Sequence, residues 1–409
     1  MTDDQTKITR NAVFLVLVAS LGYFVDIYDL LIFSIVRKTS LLDIGVNASD
    51  VLSKGLFIIN VQMFGLLLGG ILWGVLGDKL GRIKVLFGSI LLYSIANFAN
   101  GFVHDVNTYA IVRFIAGIGL AGELGAGITL VSETLSKEKR GYGTTIVAVI
   151  GLFGAAAAVL VAKYGWRNAY FVGGGLGIVL LLLRLGTFES GMFKNIEQAE
   201  VSKGNFFMLF TNWTRFKKYL YCILIGAPLW YVVGVLVTLS PEFGKALGAK
   251  ESLDAGTGIL CTYIGISVGG IFAGILSQVT RSRKLTMLIF LLLSAISVIA
   301  YLSDFGITNQ QFIWLCFFMG CAVGYWATFV TIASEQFGTN IRSTVTTTVP
   351  NFVRGSLIPI NMAFAALKGS HGMINAGYIM MAILTIVALF SLSQLKETFG
   401  KDLNYVEIS

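Results

Sequence analysis

The sequence predicts an all-α polytopic membrane protein with twelve transmembrane helices in two pseudo-symmetric six-helix halves. Composition, long apolar runs and an internal repeat lead to this prediction. Of the 409 residues, 56% are hydrophobic and only 13% are charged, whereas about 25% are charged in an ordinary soluble domain. The apolar runs are about twenty residues long, enough for a helix to cross a bilayer core of roughly 30 Å. We therefore exclude a water-soluble fold.

The apolar runs give the spans in order. The first run, 12–36, is too long for the core of a signal peptide and is expected to remain as the first span. The predicted spans are 12–36, 55–77, 83–103, 107–135, 141–162, 168–187, 217–240, 255–278, 285–303, 309–335, 342–367 and 371–395. Twelve spans leave only short connections, so no extramembrane domain of any size fits.

A long polar connection divides the chain into an N-terminal half (1–188), a cytoplasmic central loop (189–216) and a C-terminal half (217–409). Most Lys and Arg residues fall in loops on the side of the N-terminus. By the positive-inside rule both termini are cytoplasmic, in a bacterial inner membrane. The net charge of +8 is therefore a topology signal. Nucleic acid is not an expected partner, because no basic run with interleaved aromatic residues occurs.

Two sets of residues recur between the halves. The first set is Gly65, Gly69, Gly70, Ile71 and Gly74, repeated as Gly265, Gly269, Gly270, Ile271 and Gly274. The second is Gly122, Ser132, Glu133, Arg140, Thr144 and Thr145, repeated as Gly324, Ser334, Glu335, Arg342, Thr346 and Thr347. Glycines alone could arise as helix-packing motifs, but the acidic and basic pairs make chance a poor explanation. Two parallel repeats indicate a transporter with one central site.

The loop after the second span contains Gly74, Asp78, Gly81 and Arg82. Its pattern resembles the GxxxD(R/K)xGRR/K loop of the major facilitator superfamily. An Asp at a helix end beside cations can pair with a neighbouring helix terminus and be released, which makes a cytoplasmic latch. The alternative is a plain positively charged turn. At the Asp position the repeat has Gln278, so a weaker second latch is expected.

Further motifs extend this resemblance. Arg113–Gly119 and Gly165–Phe171 are similar to the superfamily's fourth-span motif and its entry to span six. Glu133 and Arg140 resemble its next cytoplasmic turn, so the resemblance implies gate roles for them and for the repeat copies Glu335 and Arg342. Asp26–Asp29 resembles the DxxD element of the metabolite:proton and aromatic acid:proton symporter branches. The aromatic-acid branch usually has Gly where this chain has Ile27, which leaves the substrate open.

Ionisable residues inside a membrane are costly unless they have a partner or a water-filled cavity. The candidates are Asp26, Asp29, Arg113, Glu123 and Arg354. Asp26 and Asp29 share a helix face, so they should not both ionise easily, and one could carry a proton. Alternatively, one or both pair with Arg113 as structural elements. Glu123 is the second proton candidate; its alternative is a carboxyl group bonded to a neighbouring helix.

Arg354 is the best candidate for binding an anionic substrate group, because its guanidinium stays charged and matches a carboxylate. It could instead only neutralise Asp26 or Glu123. The family resemblance implies that Arg113 modulates carboxylate protonation. Further pocket candidates, each with an ordinary packing alternative, are Tyr23, Gln62, Trp230, Tyr231, Tyr325, Trp326 and Asn351.

These residues favour a secondary active transporter that couples protons to uptake of a small organic anion or zwitterion by alternating access. A proton-driven exporter is the alternative, and a non-transporting membrane sensor is a weaker one. The sequence contains no nucleophile with a base and no phosphate loop, so we do not expect an enzyme. Its four cysteines lie in apolar runs, so no metal or cofactor is expected. The expected partners are the substrate, protons and the bilayer, and the family resemblance favours a monomer.

Overall fold

The computed structural model describes residues 3–401 except 124, 126, 128–130, 132–134, 136–139, 185–205, 304 and 339. For residues 3–12, 78, 82, 83, 140–142, 144, 145, 148 and 343 it describes the backbone only. Most of the predicted central loop, 189–205, therefore lies outside the described residues. The rest confirms the predicted fold class, since the chain winds through apolar helices with short connections.

The helices follow the predicted spans closely. The first half contains α1 (Asp3–Asp43), α2 (Val51–Leu80), α3 (Arg82–Asn100), α4 (Val106–Leu120), α5 (Arg140–Ala162) and α6 (Trp166–Leu183). The second half begins with a single turn, Met208–Thr211, and contains α7 (Trp213–Leu224), α8 (Ala227–Tyr231), a π-helical segment (Val232–Val237), α9 (Ser240–Ala246), α10 (Ala255–Val279), α11 (Arg283–Leu302), α12 (Asn309–Ala322), α13 (Trp326–Glu335), α14 (Arg342–Gly355), α15 (Leu357–His371) and α16 (Met373–Gln394).

Several predicted spans are interrupted. Within the described residues, eight helical stretches are long and apolar enough to cross a membrane, and Val106–Leu120 and Val149–Ala162 are shorter apolar helices. The predicted spans seven, ten and eleven break at 225–226, 323–325 and 356. A break in a membrane helix frees backbone polar groups, which must then be satisfied inside the protein or by a cavity. Each break lies close in sequence to a predicted site residue.

The internal repeat is visible in atomic contacts. A Cβ atom added at any of four glycines would collide with a carbonyl oxygen of a neighbouring helix, so only glycine permits these approaches. The contacts are Gly65 with Phe114 and Gly117 with Gln62 in the first half, and Gly265 with Phe317 and Gly320 with Thr262 in the second. Span two therefore packs on span four as span eight packs on span ten.

The two halves meet along α2 with α14 and along α5 with α10. Near the predicted cytoplasmic end, a Cβ at Gly74 would lie 3.3 Å from the Cα of Thr344. At the opposite end, Arg37 of α1 pairs with Glu242 of α9 at 2.9 Å. The halves are thus in contact at both ends of their interface, and the predicted site residues lie between these ends.

Candidate functional site

Asp26 of α1 and Arg354 of α14 form an ion pair across the two halves. The Arg354 Nη2 donates to Asp26 Oδ2 at 2.9 Å, and both side chains are at most 1% exposed. Asp26 Oδ1 and Arg354 Nε are buried without a hydrogen-bond partner. The sequence left open whether Arg354 binds substrate or neutralises a carboxylate. In this conformation it is paired with Asp26, and both groups retain unused hydrogen-bonding capacity.

Asp29, one helical turn further along α1, has a different partner. Arg113 of α4 donates from Nη1 to Asp29 Oδ1 at 3.2 Å and from Nη2 to the Asp29 carbonyl oxygen at 3.0 Å. It also donates to Asn97 at 3.3 Å and to Gln62 at 3.4 Å. Asp26 and Asp29 therefore each have their own arginine. This second cluster lies wholly within the first half.

Glu123 is bonded to Arg184, which follows α6. The guanidinium donates to both carboxylate oxygens, and each side chain is 1% exposed. A Cβ at Gly22 of α1 would collide with both groups, so glycine lets α1 pass over the pair. Arg184 was not among the predicted site residues. Charge balance could have revealed it, because three buried carboxylates faced only two buried arginines in the prediction.

Two tryptophans flank Arg354. The rings of Trp230 and Trp326 each have their centroid 5.9 Å from its guanidinium carbon, a distance typical of cation–π contact. Both indole Nε1 atoms are buried without a partner. Tyr23 of α1 is also buried and lies within electrostatic range of Arg354. The surroundings of Arg354 therefore combine aromatic surface with unused N–H donors.

The remaining pocket candidates have other contacts. Tyr231 donates to the carbonyl oxygen of Gly377 at 2.6 Å, so it faces α16. Asn351 donates to the carbonyl oxygen of Ala121 at 2.8 Å, which joins α14 to the break after α4. Tyr325 is fully buried at the break before α13. Of these three, Asn351 lies nearest the central pair, since Arg354 donates to its side-chain oxygen at 3.5 Å.

The predicted cytoplasmic gate is described in part. Gly81 separates α2 from α3 with φ of 100°, a left-handed conformation that favours glycine. The side chains of Asp78, Arg82 and Arg140, and all of Glu133, lie outside the described residues. Of the repeat copies, Glu335 pairs with Arg283 at 3.1 Å, and Arg342 donates to the Phe337 carbonyl oxygen at 3.5 Å.

Glu397, beyond α16, holds the turn that carries Arg283. Its carboxylate accepts hydrogen bonds from Ser282 Oγ at 2.6 Å and from the backbone N–H groups of Arg283 and Lys284 at 3.0 and 3.2 Å. Burial alone would raise the pKa of Glu397, but these bonds outweigh it and lower the pKa to about 2. The C-terminal segment therefore stabilises the repeat copy of the latch loop, where Gln278 replaces the aspartate.

Within the described residues, no three His, Cys, Asp or Glu side chains lie close enough to hold a metal ion. The buried polar groups instead form three carboxylate–arginine pairs. Two of these pairs lie within the first half, and the Asp26–Arg354 pair alone among the three joins the halves. Separating the halves at this level would break that pair.

Comparison with known proteins places this arrangement in a family. The chain is 27% identical to a putative metabolite transport protein of Haemophilus influenzae over 94% of this chain and 96% of that one. It is 24% identical to a probable 4-methylmuconolactone transporter of Cupriavidus pinatubonensis, covering 93% and 89%. The proton:xylose symporter XylE of E. coli has a similar structure, with a TM-score of 0.73 at 17% identity and coverage of 97% and 98%. Residues 19–357 match the Major Facilitator Superfamily, so the chain belongs to this superfamily of multi-pass membrane transporters.

Proposed function

We propose that the protein is a proton-coupled symporter that takes up a small organic anion or zwitterion by alternating access. The substrate class comprises carboxylates, amino acids and related metabolites. We place it in a bacterial cytoplasmic membrane, as a monomer with both termini inside. One observation carries the proposal: the buried Asp26–Arg354 pair joins the two halves while groups around it keep unused donors.

The donors around Arg354 favour an anionic ligand group. Arg354 Nε, Trp230 Nε1 and Trp326 Nε1 all lack a hydrogen-bond partner. A guanidinium cannot deprotonate in a protein, and its planar fork fits a carboxylate. A substrate carboxylate that enters here would replace Asp26 as the partner of Arg354. The indole rings would pack against the rest of the ligand.

This replacement would couple the substrate to a proton. When the substrate takes Arg354, the Asp26 carboxylate loses its counter-ion in a buried place, where an unpaired charge is costly. Asp26 then takes a proton from the outer side. After the halves rock and the substrate leaves inward, Arg354 becomes free again, and Asp26 releases the proton to pair with it. The predicted cytoplasmic latch would open in the same step.

The other buried carboxylates have supporting roles in this scheme. Asp29 is held by Arg113 within one half, which suits a residue that tunes the charge near Asp26. Glu123, bonded to Arg184, remains a second candidate for the proton. The relatives support transport of a small metabolite, since one is described as a putative metabolite transport protein and another as a probable 4-methylmuconolactone transporter; the structural neighbour XylE is described as a proton:xylose symporter.

Uptake into proteoliposomes with an acidic exterior tests this proposal. Three panels of compounds would be offered to wild type, Asp26→Asn and Arg354→Lys. The panels are carboxylates (benzoate among them), amino acids, and sugars. We expect uphill accumulation of one anionic or zwitterionic class. Asp26→Asn should abolish accumulation but keep counterflow, because exchange needs no net proton movement. Arg354→Lys should weaken substrate binding roughly tenfold or more, because it loses a charge-assisted hydrogen bond.

Asp254→Asn is the matched control, because Asp254 is an exposed helix cap and asparagine caps equally well. It should transport like wild type. Uphill accumulation that persists in Asp26→Asn would refute the coupling scheme, and unchanged binding in Arg354→Lys would refute carboxylate capture. Net proton-driven movement only from inside to outside would establish the exporter instead.

A further inference from the structure

A cavity of about 520 Å³ lies at the end of the interface opposite the predicted cytoplasmic latch. Residues of both halves line it, and its volume lies within the range of small-molecule sites. Its charged lining residues are Arg37 and Lys38 from the first half, and Glu242, Lys245, Lys250 and Glu251 from the second. Cations outnumber carboxylates here by four to two. Such a cavity concentrates small anions.

Arg37 is the buried cation of this cavity. Its side chain is 4% exposed, and its Nη2 donates to Glu242 at 2.9 Å and to the Thr238 carbonyl oxygen at 3.5 Å. Its Nε and Nη1 atoms are buried without a hydrogen-bond partner. A guanidinium has five N–H donors, and buried donors without acceptors are costly. Arg37 therefore has unused donors for a further anionic partner.

The packing of α2 leaves room for Arg37. A Cβ atom at Gly55 would lie 2.6 Å from Cδ and 2.9 Å from Cγ of Arg37. The side-chain stem therefore runs over a position where any larger residue would displace it. The guanidinium is placed by glycine on one side and by Glu242 on the other. This is a built position, unlike that of an exposed lysine that moves freely in solvent.

We propose that this cavity is an outer binding site for a small organic carboxylate, distinct from the site at Arg354. The carboxylate contacts Arg37 and competes with Glu242 for it. Since the Arg37–Glu242 pair ties α1 to α9, occupation of the cavity loosens the outer contact between the halves. The inference takes the anionic substrate class and the outward orientation of this end from the proposed function.

Binding of the carboxylate at Arg37 and loosening of the Arg37–Glu242 contact are energetically compatible. The ligand carboxylate and Glu242 have the same chemistry, so replacing one with the other at Arg37 exchanges similar interactions. A ligand shifts a conformational equilibrium only by its difference in affinity for the two states. The carboxylate binds more tightly when Glu242 has moved away, and it therefore favours the open state. Arg37 lies eleven residues beyond Asp26, about 16 Å further along α1.

Cysteine protection in the full-length protein tests this inference. Ser252 is exposed and lines the cavity, so Ser252→Cys would be labelled with the anionic reagent sulfonatoethyl methanethiosulfonate. Benzoate at about ten times its dissociation constant should slow labelling roughly tenfold, because the cavity is then occupied most of the time, whereas neutral benzamide should not. Asn107→Cys, exposed in the first turn of α4 on the same predicted side, should be unaffected. Wild type labelled in parallel corrects for the native cysteines.

Three further substitutions in the Ser252→Cys background locate the effect. Arg37→Gln should remove benzoate protection, and Arg354→Gln should leave it intact. Glu242→Gln frees Arg37 and should strengthen protection, a gain that misfolding cannot produce. The inference is wrong if benzoate protects no better than benzamide, or if protection survives in Arg37→Gln. Protection that needs Arg354 alone would leave the proposed function standing without an outer site. Protection without any anion uptake would support the outer site and refute the proposed function.

Discussion

Two buried arginine–aspartate pairs lie one helical turn apart on α1 and differ in how completely the arginine of each pair is bonded. Arg113 binds the Asp29 carboxylate, the Asp29 carbonyl oxygen, Asn97 and Gln62. Arg354 binds Asp26 and makes one long contact of 3.5 Å to Asn351. The first cluster lies inside one half, and the second joins the halves. Every nitrogen of the Arg113 guanidinium is thus bonded, whereas Arg354 Nε has no partner; one carboxylate oxygen of each aspartate, Asp29 Oδ2 and Asp26 Oδ1, is also without one.

The difference indicates that the two pairs have different roles. A buried arginine whose nitrogens are all bonded resists change, because removing it leaves several groups unsatisfied. A buried arginine with an unused donor can exchange partners at lower cost. We infer that the Asp29 cluster holds the first half together and that the Asp26 pair opens and closes during transport. Two substitutions test this inference and a third gives a comparison outside the membrane, from the largest expected effect to the smallest.

The largest effect is expected for Arg113→Gln. It leaves the Asp29 carboxylate without a cation and removes a donor from Asn97 and Gln62. Breaking a buried ion pair costs about 3 to 5 kcal/mol in free energy of unfolding. Denaturant unfolding in detergent would measure this loss. Arg167→Gln is the control, because Arg167 is 31% exposed in its pair with Asp43, and its loss should stay below about 1 kcal/mol. Equal losses in the two variants would contradict the inference.

A smaller loss of stability is expected for Arg354→Gln, about 1 to 3 kcal/mol. The interface between the halves can open, so Asp26 can be hydrated or protonated instead of remaining buried and unpaired. The variant should therefore populate open conformations more than wild type. Spin labels at Leu42 and Lys250, both exposed near the outer end, would report longer distances. A loss as large as that of Arg113→Gln, with unchanged distances, would show that both pairs are structural.

The smallest loss of stability is expected for Glu397→Gln. Glu397 is a third carboxylate for comparison, which lies outside the membrane and is held by neutral donors. The pKa of Glu397 is lowered from 4.5 to about 2. Its ionised form therefore stabilises the fold above about pH 4.5, and this contribution is lost as the pH falls toward 2. Thermal unfolding should show wild type slightly more stable than Glu397→Gln at pH 7, with the difference shrinking below pH 4.5. A difference that does not depend on pH would exclude this role.

The sequence was sufficient for the fold class and for most span positions, because apolar length is a local property. Pro228 indicates a bend in span seven, and the helix is interrupted next to it at 225–226. The sequence missed the interruption at 323–325, since a broken apolar run has the same composition as a continuous one. It also ended the first span at residue 36, whereas α1 continues to Asp43. Arg37 and Ser40 are buried there, although their polarity indicated a loop. Burial by other helices is a long-range property that local composition does not contain.

The charged residues show the same limit. Asp26, Asp29, Glu123, Arg113 and Arg354 were identified because charges in apolar runs are rare. Which of them pair depends on the helix faces that meet, and no spacing along the chain encodes this. Arg184 was missed because it lies at the end of its apolar run, where a cation is ordinary. Its partner Glu123 is 61 residues away in the chain.

The π-helical segment Val232–Val237 separates Trp230, beside Arg354, from Glu242, beside Arg37. A π-turn holds one residue more than an α-turn. If its hydrogen bonds re-form in the α pattern, the helix on one side rotates by about 100° relative to the other, the angle of one residue. The π-helical segment therefore lies between two places where a substrate carboxylate would bind. A ligand that favours one of the two hydrogen-bond patterns would rotate Trp230 relative to Glu242, so occupancy of the centre would change the outer contact.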